Sequence, residues 1–238
     1  MKHLAELRVK IFADGAEKAG ILELYRQPWV RGFTTNPTLM RKAGVADYRA
    51  FAKEILRVVT DRPISFEVFS DEFEEMERQA REIATWGDNV YVKIPITNTR
   101  AATSRELVER LASRRIKLNL TALLTLDQVK HIAPALKHSP AAYISVFAGR
   151  IADTGRDPVP VMREAVEFLK AFPNIELIWA SPRELLNLFQ ADAIGCHIIT
   201  ITHDMLQKLS LIGRDLEEYS LDTVKMFHQD ALKAGFEL

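Results

Sequence analysis

Eight short runs rich in Val, Ile, Phe and Tyr alternate with longer amphipathic segments from one end of the chain to the other, and this alternation constrains the fold more than any other feature. The runs are Arg8 to Ala13, Val30 to Thr34, Ile64 to Phe69, Val90 to Ile94, Lys117 to Thr121, Ala142 to Phe147, Glu176 to Ala180 and His197 to Ile201. Strands joined through helices pair in parallel, so repeated βα units build a parallel sheet. Eight such units favour a closed (β/α)8 TIM barrel over an open doubly wound sheet. The open alternative calls for a glycine-rich G-x-G-x-x-G turn after its first strand, and that turn here reads Asp14-Gly15-Ala16-Glu17. Barrels of this kind run to about 250 residues as one unit. The 238 residues are therefore expected to form one domain, 1–238, with 215–238 as a C-terminal helical extension carrying Leu221, Val224, Phe227 and Leu232 near helical spacing.

The helix segments carry their own punctuation. Thr103 with Glu106 and Thr125 with Gln128 read as capping boxes, Ser181-Pro182-Arg183-Glu184 as a third, and Asp157-Pro158 as an N-cap followed by a first-turn proline. Gly87 and Pro173 read as stops.

Composition narrows the function classes. Lys+Arg 32 balance Asp+Glu 32, and this zero net charge argues against nucleic-acid binding, which rests on a basic surface. The lone Cys196 cannot form an internal disulfide and no His/Cys cluster has zinc spacing, which favours a reducing compartment and no metal. The N-terminus has no continuous apolar signal-peptide core, and no stretch of about 18 apolar residues occurs. A cytoplasmic protein with neither nucleic-acid nor membrane partner is expected.

Strand parity locates the chemistry. Side chains alternate between the helix-facing side and the lumen of a barrel. Val9, Ile11 and Ala13 oppose Phe12 and Asp14; Ile64, Phe66 and Val68 oppose Ser65 and Glu67; Val90, Val92 and Ile94 oppose Tyr91 and Lys93. Leu118 and Leu120 oppose Asn119 and Thr121, Ile144 and Val146 oppose Ser145 and Phe147, and the seventh run ends in Trp179 and Ser181 on one parity. Polar groups thus gather toward the C-terminal ends of the strands, where barrels of this type place their active sites. Lys93 lies inside a strand between valine and isoleucine; burial favours its neutral amine, a Schiff-base nucleophile for a carbonyl, with carboxylates nearby for proton transfer. Plainer readings stand beside this one. Lys93 can simply pair with Glu67, Asp14 and Ser181 can be helix N-caps, Asn36 before Pro37 can shape a turn, and Arg150 and Arg183 can be surface arginines. His203 is expected in the first turn after the last strand, and Arg100 either reaches substrate or faces solvent.

Three ordered blocks, Gly32-Phe33-Thr34-Thr35-Asn36-Pro37-Thr38, Tyr91-Val92-Lys93-Ile94-Pro95 and Phe147-Ala148-Gly149-Arg150-Ile151, each end a strand, and with them the chain resembles the transaldolase family, including its fructose-6-phosphate aldolase branch. The resemblance implies Lys93 as the Schiff-base lysine, Asp14 as the acid/base at the hydroxyl beside the breaking bond, and Glu67 with Thr121 as holders of a catalytic water. It implies Asn36, Asn119 and Ser145 as binders of the dihydroxyacetone part, with Thr34 lining the same pocket, and Arg150, Ser181 and Arg183 as a phosphate clamp. The aldolase branch tends to carry glutamine at Glu67 and tyrosine at Phe147, so these positions and Asn119 tilt the reading toward transfer between sugar phosphates. No metal or organic cofactor is implied, because the protonated imine is itself the electron sink. Short family members commonly form pentamers or decamers through a C-terminal helix. Gly15 after Asp14, Pro182 in place of the usual Phe, and Asn98-Thr99-Arg100 depart from the family pattern and bear on substrate identity. An aldolase releasing free dihydroxyacetone and a non-catalytic sugar-phosphate-binding barrel are the alternatives.

Overall fold

The computed structural model describes residues 4–236. Along the chain lie β1 (Lys10–Asp14), α1 (Lys18–Tyr25), β2 (Val30–Thr34), α2 (Pro37–Lys42), α3 (Tyr48–Leu56), β3 (Ile64–Glu67), α4 (Phe73–Ala84), β4 (Val90–Pro95), α5 (Arg105–Ser113) and β5 (Leu118–Leu123). There follow α6 (Leu126–Ile132), β6 (Ala142–Val146), α7 (Ala148–Asp153), α8 (Val159–Leu169), β7 (Ile175–Trp179), α9 (Leu186–Ala193), β8 (Ile198–Thr202), α10 (His203–Gln207) and α11 (Leu216–Ala234). Each strand pairs in parallel with the next, and β1 pairs with β8, closing an eight-stranded barrel. All eight expected runs are strands, with shifted ends: β1 starts at Lys10 and includes Asp14, β3 stops at Glu67, and β5 continues to Leu123.

Parity governs the packing. Ile64, Phe66, Val92, Ile94, Leu118, Leu120, Ile144 and Val146 join the apolar shell between strands and helices. The lumen floor is a separate cluster of Phe12, Tyr91, Tyr143, Ile178, Ala180 and Ile198. Tyr91 stacks on Tyr143 with ring centroids 4.1 Å apart, and Phe12 meets Tyr143 edge-on at 5.7 Å. Gly32 makes room for this floor, since a Cβ there would lie 2.5 Å from the Phe12 ring. An aromatic plug therefore closes the barrel below and leaves the polar positions above it.

The helix punctuation is borne out at one box and corrected at three places. Thr125 accepts from the Gln128 backbone while Gln128 reaches back to Thr125, a complete capping box. At Thr103 the box does not form: Ser104 occupies the N-cap, its hydroxyl donating to Ile96 O, and Thr103 pairs instead with His131. Asp157 does accept from Val159 N at 2.9 Å, but the helix begins at Val159 with Pro158 at the cap position. Ser181 is not an N-cap, because α9 begins only at Leu186; Asn187 Oδ1 instead accepts from Arg183 N at 2.7 Å and from Glu184 N at 3.3 Å.

The expected C-terminal extension is α11, capped by Asp215 accepting from Glu217 N and Glu218 N and closed by Gly235 at φ 65°. None of its residues is buried. Glu237 and Leu238, the end of the expected extension, lie outside the described residues. No described helix is long and apolar enough to cross a membrane.

Candidate active site

The polar ends of the strands open into a cleft of about 460 Å³ lined by Asp14, Thr34, Asn36, Glu67, Lys93, Thr121, Ser145, Phe147, Arg150, Ser181 and Arg183. Of the expected site residues only Asn119 does not line it. Asn119 lies fully buried beside it, donating to Ser65 Oγ at 3.0 Å and accepting from Ser145 Oγ at 2.8 Å. That network satisfies the amide and fixes the rotamer of Ser145 at the cleft wall.

Lys93 is 5% exposed. Its Nζ donates to Thr35 O at 3.1 Å and lies 3.2 Å from Glu67 Oε2, two groups on adjacent strands in register. The ion pair expected as a plain alternative is thus present, but at the mouth of a cleft rather than sealed in the core. Thr121 follows the pattern that bulges create: the register of β5 against β6 shifts between Leu120 and Leu123, and Ala122 sits at φ 66°, a conformation uncommon for a residue with a Cβ. Thr121 Oγ1 is buried there without a hydrogen-bond partner among the described residues. A buried hydroxyl left so is costly unless a ligand or solvent molecule meets it.

Asp14 is the last residue of β1, and α1 begins at Lys18 behind Glu17, so the N-cap reading of Asp14 does not hold. Burial pushes its carboxyl above the ordinary 3.8, opposed by the Lys93 cation and by the Thr34 hydroxyl, which donates to Oδ1 at 2.7 Å. Thr34 in turn shares a hydrogen bond with Thr200. Asn36 serves two ends at once: its side chain accepts from Leu39 N at 2.9 Å to cap α2, and it lines the cleft.

On the opposite rim Arg150 lies over the Phe147 ring at 5.2 Å. Arg183 forms a two-pronged pair with Asp153, with Nε 2.8 Å from Oδ1, and its Nη1 donates to Ser181 Oγ at 3.0 Å. The guanidinium holds the Asp153 carboxyl below its usual range. Ser181 breaks the alternation that set it beside Trp179. Trp179 faces the outer shell, whereas Ser181 turns through φ 59° and lines the cleft. Arg150 and Arg183 are exposed, as surface arginines are, but at the rim of the cleft. Arg100 pairs with Glu72 and Asp71 at the surface and does not line the cleft. His203 opens α10, as expected, with Nδ1 buried behind Gly20.

Several contributors escape the sequence reading. Thr200 and Thr202 line the cleft and alternate with Ile199 and Ile201, so the parity rule applied to the eighth run would have found Thr200, and Thr202 once the strand is extended by one residue. Ser65 shares the parity of Glu67 and completes the Asn119 network. Tyr48 carries no local signal, because it reaches Glu67 from another element.

The profile of the Transaldolase/Fructose-6-phosphate aldolase family matches residues 11–238. A "Probable transaldolase" of Thermoanaerobacter sp. is 33% identical over 231 residues, covering 97% of this chain and 100% of that protein. One from Dehalococcoides mccartyi is 33% identical, covering 84% and 90%, and one from Methanococcus maripaludis is 35% identical, covering 90% and 97%. Among solved structures, dihydrodipicolinate synthase from Rhodopseudomonas palustris superposes with a TM-score of 0.59 at 13% identity, covering 93% of this chain and 80% of that one. The aldolase QR15 gives 0.56 at 12%, covering 88% of this chain and 99% of that one. At such identities these two speak for the barrel alone.

Proposed function

Since the chain belongs to the transaldolase/fructose-6-phosphate aldolase family, we propose that it transfers a dihydroxyacetone unit from a ketose phosphate, such as fructose 6-phosphate or sedoheptulose 7-phosphate, to an aldose phosphate through a Schiff base on Lys93. The observation that carries the reading is the Lys93 side chain, nearly buried at the cleft with Nζ 3.2 Å from Glu67 Oε2, an amine and a carboxylate within proton-transfer distance of each other. An unprotonated amine is the nucleophile that such an addition needs.

Lys93 Nζ adds to the C2 carbonyl of the ketose, and the carbinolamine loses water to give a protonated imine. Glu67 and a water held between it and Thr121 carry the protons of this dehydration; the unpartnered Thr121 hydroxyl supports that role. Asp14 takes the C4 hydroxyl proton, the C3–C4 bond breaks, and its electron pair flows into the iminium to leave an enamine. The aldose departs. The enamine then adds to the carbonyl of the acceptor aldose, and hydrolysis returns the free amine.

Asn36 and Ser145, the latter held by Asn119 behind it, bind the hydroxyls of the three-carbon unit, with Thr34 at the same wall. Arg150, Arg183 and Ser181 receive the phosphate. The helix terminus anticipated at Ser181 is not available for it, so the clamp relies on guanidinium groups, whose planar forks suit a phosphate. Arg183 is paired directly with Asp153, whereas Arg150 stacks on Phe147 and acts on the same carboxylate only through space. A second copy of the chain covers α11, making the protein a homo-oligomer, and its working location is the cytoplasm.

Borohydride reduction in the presence of fructose 6-phosphate tests the central step. A mass increase of one ketose fragment on Lys93, lost in Lys93→Ala, is expected; a wild-type protein that gains no adduct contradicts the reading and leaves a sugar-phosphate-binding barrel. Product analysis with and without erythrose 4-phosphate separates transfer from release. Free dihydroxyacetone formed at the same rate without acceptor marks an aldolase.

A further inference from the structure

The end of β3 lacks a sheet partner on one side. Its pairing with β2 consists of Phe33 with Ile64 and Thr34 with Ser65, followed by Thr35 N donating to Ser65 O. Beyond that point β2 turns into the Asn36 cap of α2, so the next rung of the ladder, the N–H and C=O of Glu67, has no strand to bond. Such groups, near the buried end of a sheet, are costly when unpaired. Tyr48 fills the place: its hydroxyl donates to Glu67 O at 2.9 Å and accepts from Glu67 N at 2.8 Å. One phenol thus substitutes for a residue of the missing strand and fixes the backbone that carries the carboxylate facing Lys93.

The phenol is itself held in place. Asp47 caps α3 by accepting from Ala50 N at 2.9 Å, which sets the first helical residue, Tyr48, against the rim of the barrel. Its ring meets Phe66 edge-on at 6.1 Å and Trp86 at 5.9 Å. Tyr48 does not line the cleft and so touches no substrate.

We infer that Tyr48 is the positioning residue for Glu67, holding its carboxylate within reach of the Lys93 amine by completing the end of β3. This rests on the Schiff-base reading above and adds a residue to it. The carboxylate governs dehydration and hydrolysis of the imine, whereas C3–C4 cleavage belongs to Asp14, so loss of the phenol hydroxyl slows the former steps selectively.

A double-mutant cycle tests the inference. Tyr48→Phe keeps the ring and removes both hydrogen bonds; a fall in kcat of roughly tenfold, with KM within about twofold, is expected from the loss of buried backbone partners. Rapid-quench borohydride trapping locates the loss in adduct formation. In the Glu67→Ala background the same substitution should cost less than about twofold, because a residue acting through the carboxylate has nothing left to position. Equal factors in both backgrounds, or full activity in Tyr48→Phe, overturn the role of Tyr48. A wild-type enzyme that forms no adduct instead overturns the Schiff-base reading itself. Amide exchange on the wild-type protein supplies a readout independent of the folding of any variant: the Glu67 N–H should be protected like a sheet amide, and exchange at the rate of an open loop contradicts the inference.

Discussion

Burial and charge act on Asp14 in opposite senses, and burial prevails, leaving the carboxyl raised above 3.8. A carboxyl whose folded value exceeds its unfolded one keeps its proton in the folded chain where the unfolded chain has released it. Its contribution to stability is therefore most favourable below about pH 3.8, falls as pH rises through the folded value, and stays unfavourable above it. Asp14→Asn removes that penalty. Its kcat should fall by about 100-fold or more, the usual scale for a general acid/base, while its thermal midpoint at pH 7 equals or exceeds that of the wild type. Below about pH 3 the two midpoints should converge, and a variant less stable at pH 7 than the wild type contradicts the assignment of cause. Thr34 supplies the converse test. Its hydroxyl opposes the rise at Asp14, so Thr34→Val should move the Asp14 limb of the pH–rate profile upward. A limb left in place detaches Asp14 from that limb.

Between elements, close approach takes the place of side chains. The first turn of α7 packs against the β7–α9 connection so tightly that a Cβ at Gly149 would lie 1.6 Å from Ser181 O. That atom is backbone, so the connection must move, and with it Ser181 and Arg183. Gly149→Ala should cost about 1–3 kcal/mol of stability by overpacking. It should also raise KM for a phosphorylated ketose roughly tenfold, the scale of one hydrogen bond to a charged group, while leaving KM for the unphosphorylated ketose nearly unchanged. Urea titration and paired kinetics on the two substrates check this; equal effects on both remove the loop from phosphate binding. The same connection shows what a sequence can and cannot announce. Strand parity was legible because it follows from backbone geometry, and it placed Asp14, Glu67, Lys93, Thr121 and Ser145 at one mouth. Ser181-Pro182-Arg183-Glu184 had the spacing of a capping box, yet Asn187, four residues beyond Arg183, captured the amides and delayed the helix to Leu186. Tyr48 and Asp153 were illegible for a further reason: their partners lie 19 and 30 residues away, on other elements, and only closure of the barrel brings them together.

For the molecule as a whole, α11 poses a problem of energy. It has 19 residues, none of them buried, and an isolated helix of that length is marginal in water without packing on one face. Leu221, Val224 and Phe227 form an exposed apolar stripe upon it, at 52%, 60% and 64%. The cap at Asp215 and the pair of Arg214 with Asp222 hold its first turns, but an exposed ion pair contributes at most about 1 kcal/mol. If further copies of the chain cover the stripe, as proposed above, its burial would add about 25 cal/mol for each Å² of apolar surface removed from water. The protein should accordingly sediment as a closed oligomer whose thermal midpoint rises with concentration, because association draws the folded state forward. Placing a carboxylate in the stripe, as in Phe227→Asp, buries a charge without a partner at the contact and should shift the mass toward the single chain. Barrel helicity would persist, since the shell around β1–β8 includes no residue of α11. A wild-type chain that sediments as a monomer, with a midpoint independent of concentration, removes the second copy as the cover of this helix.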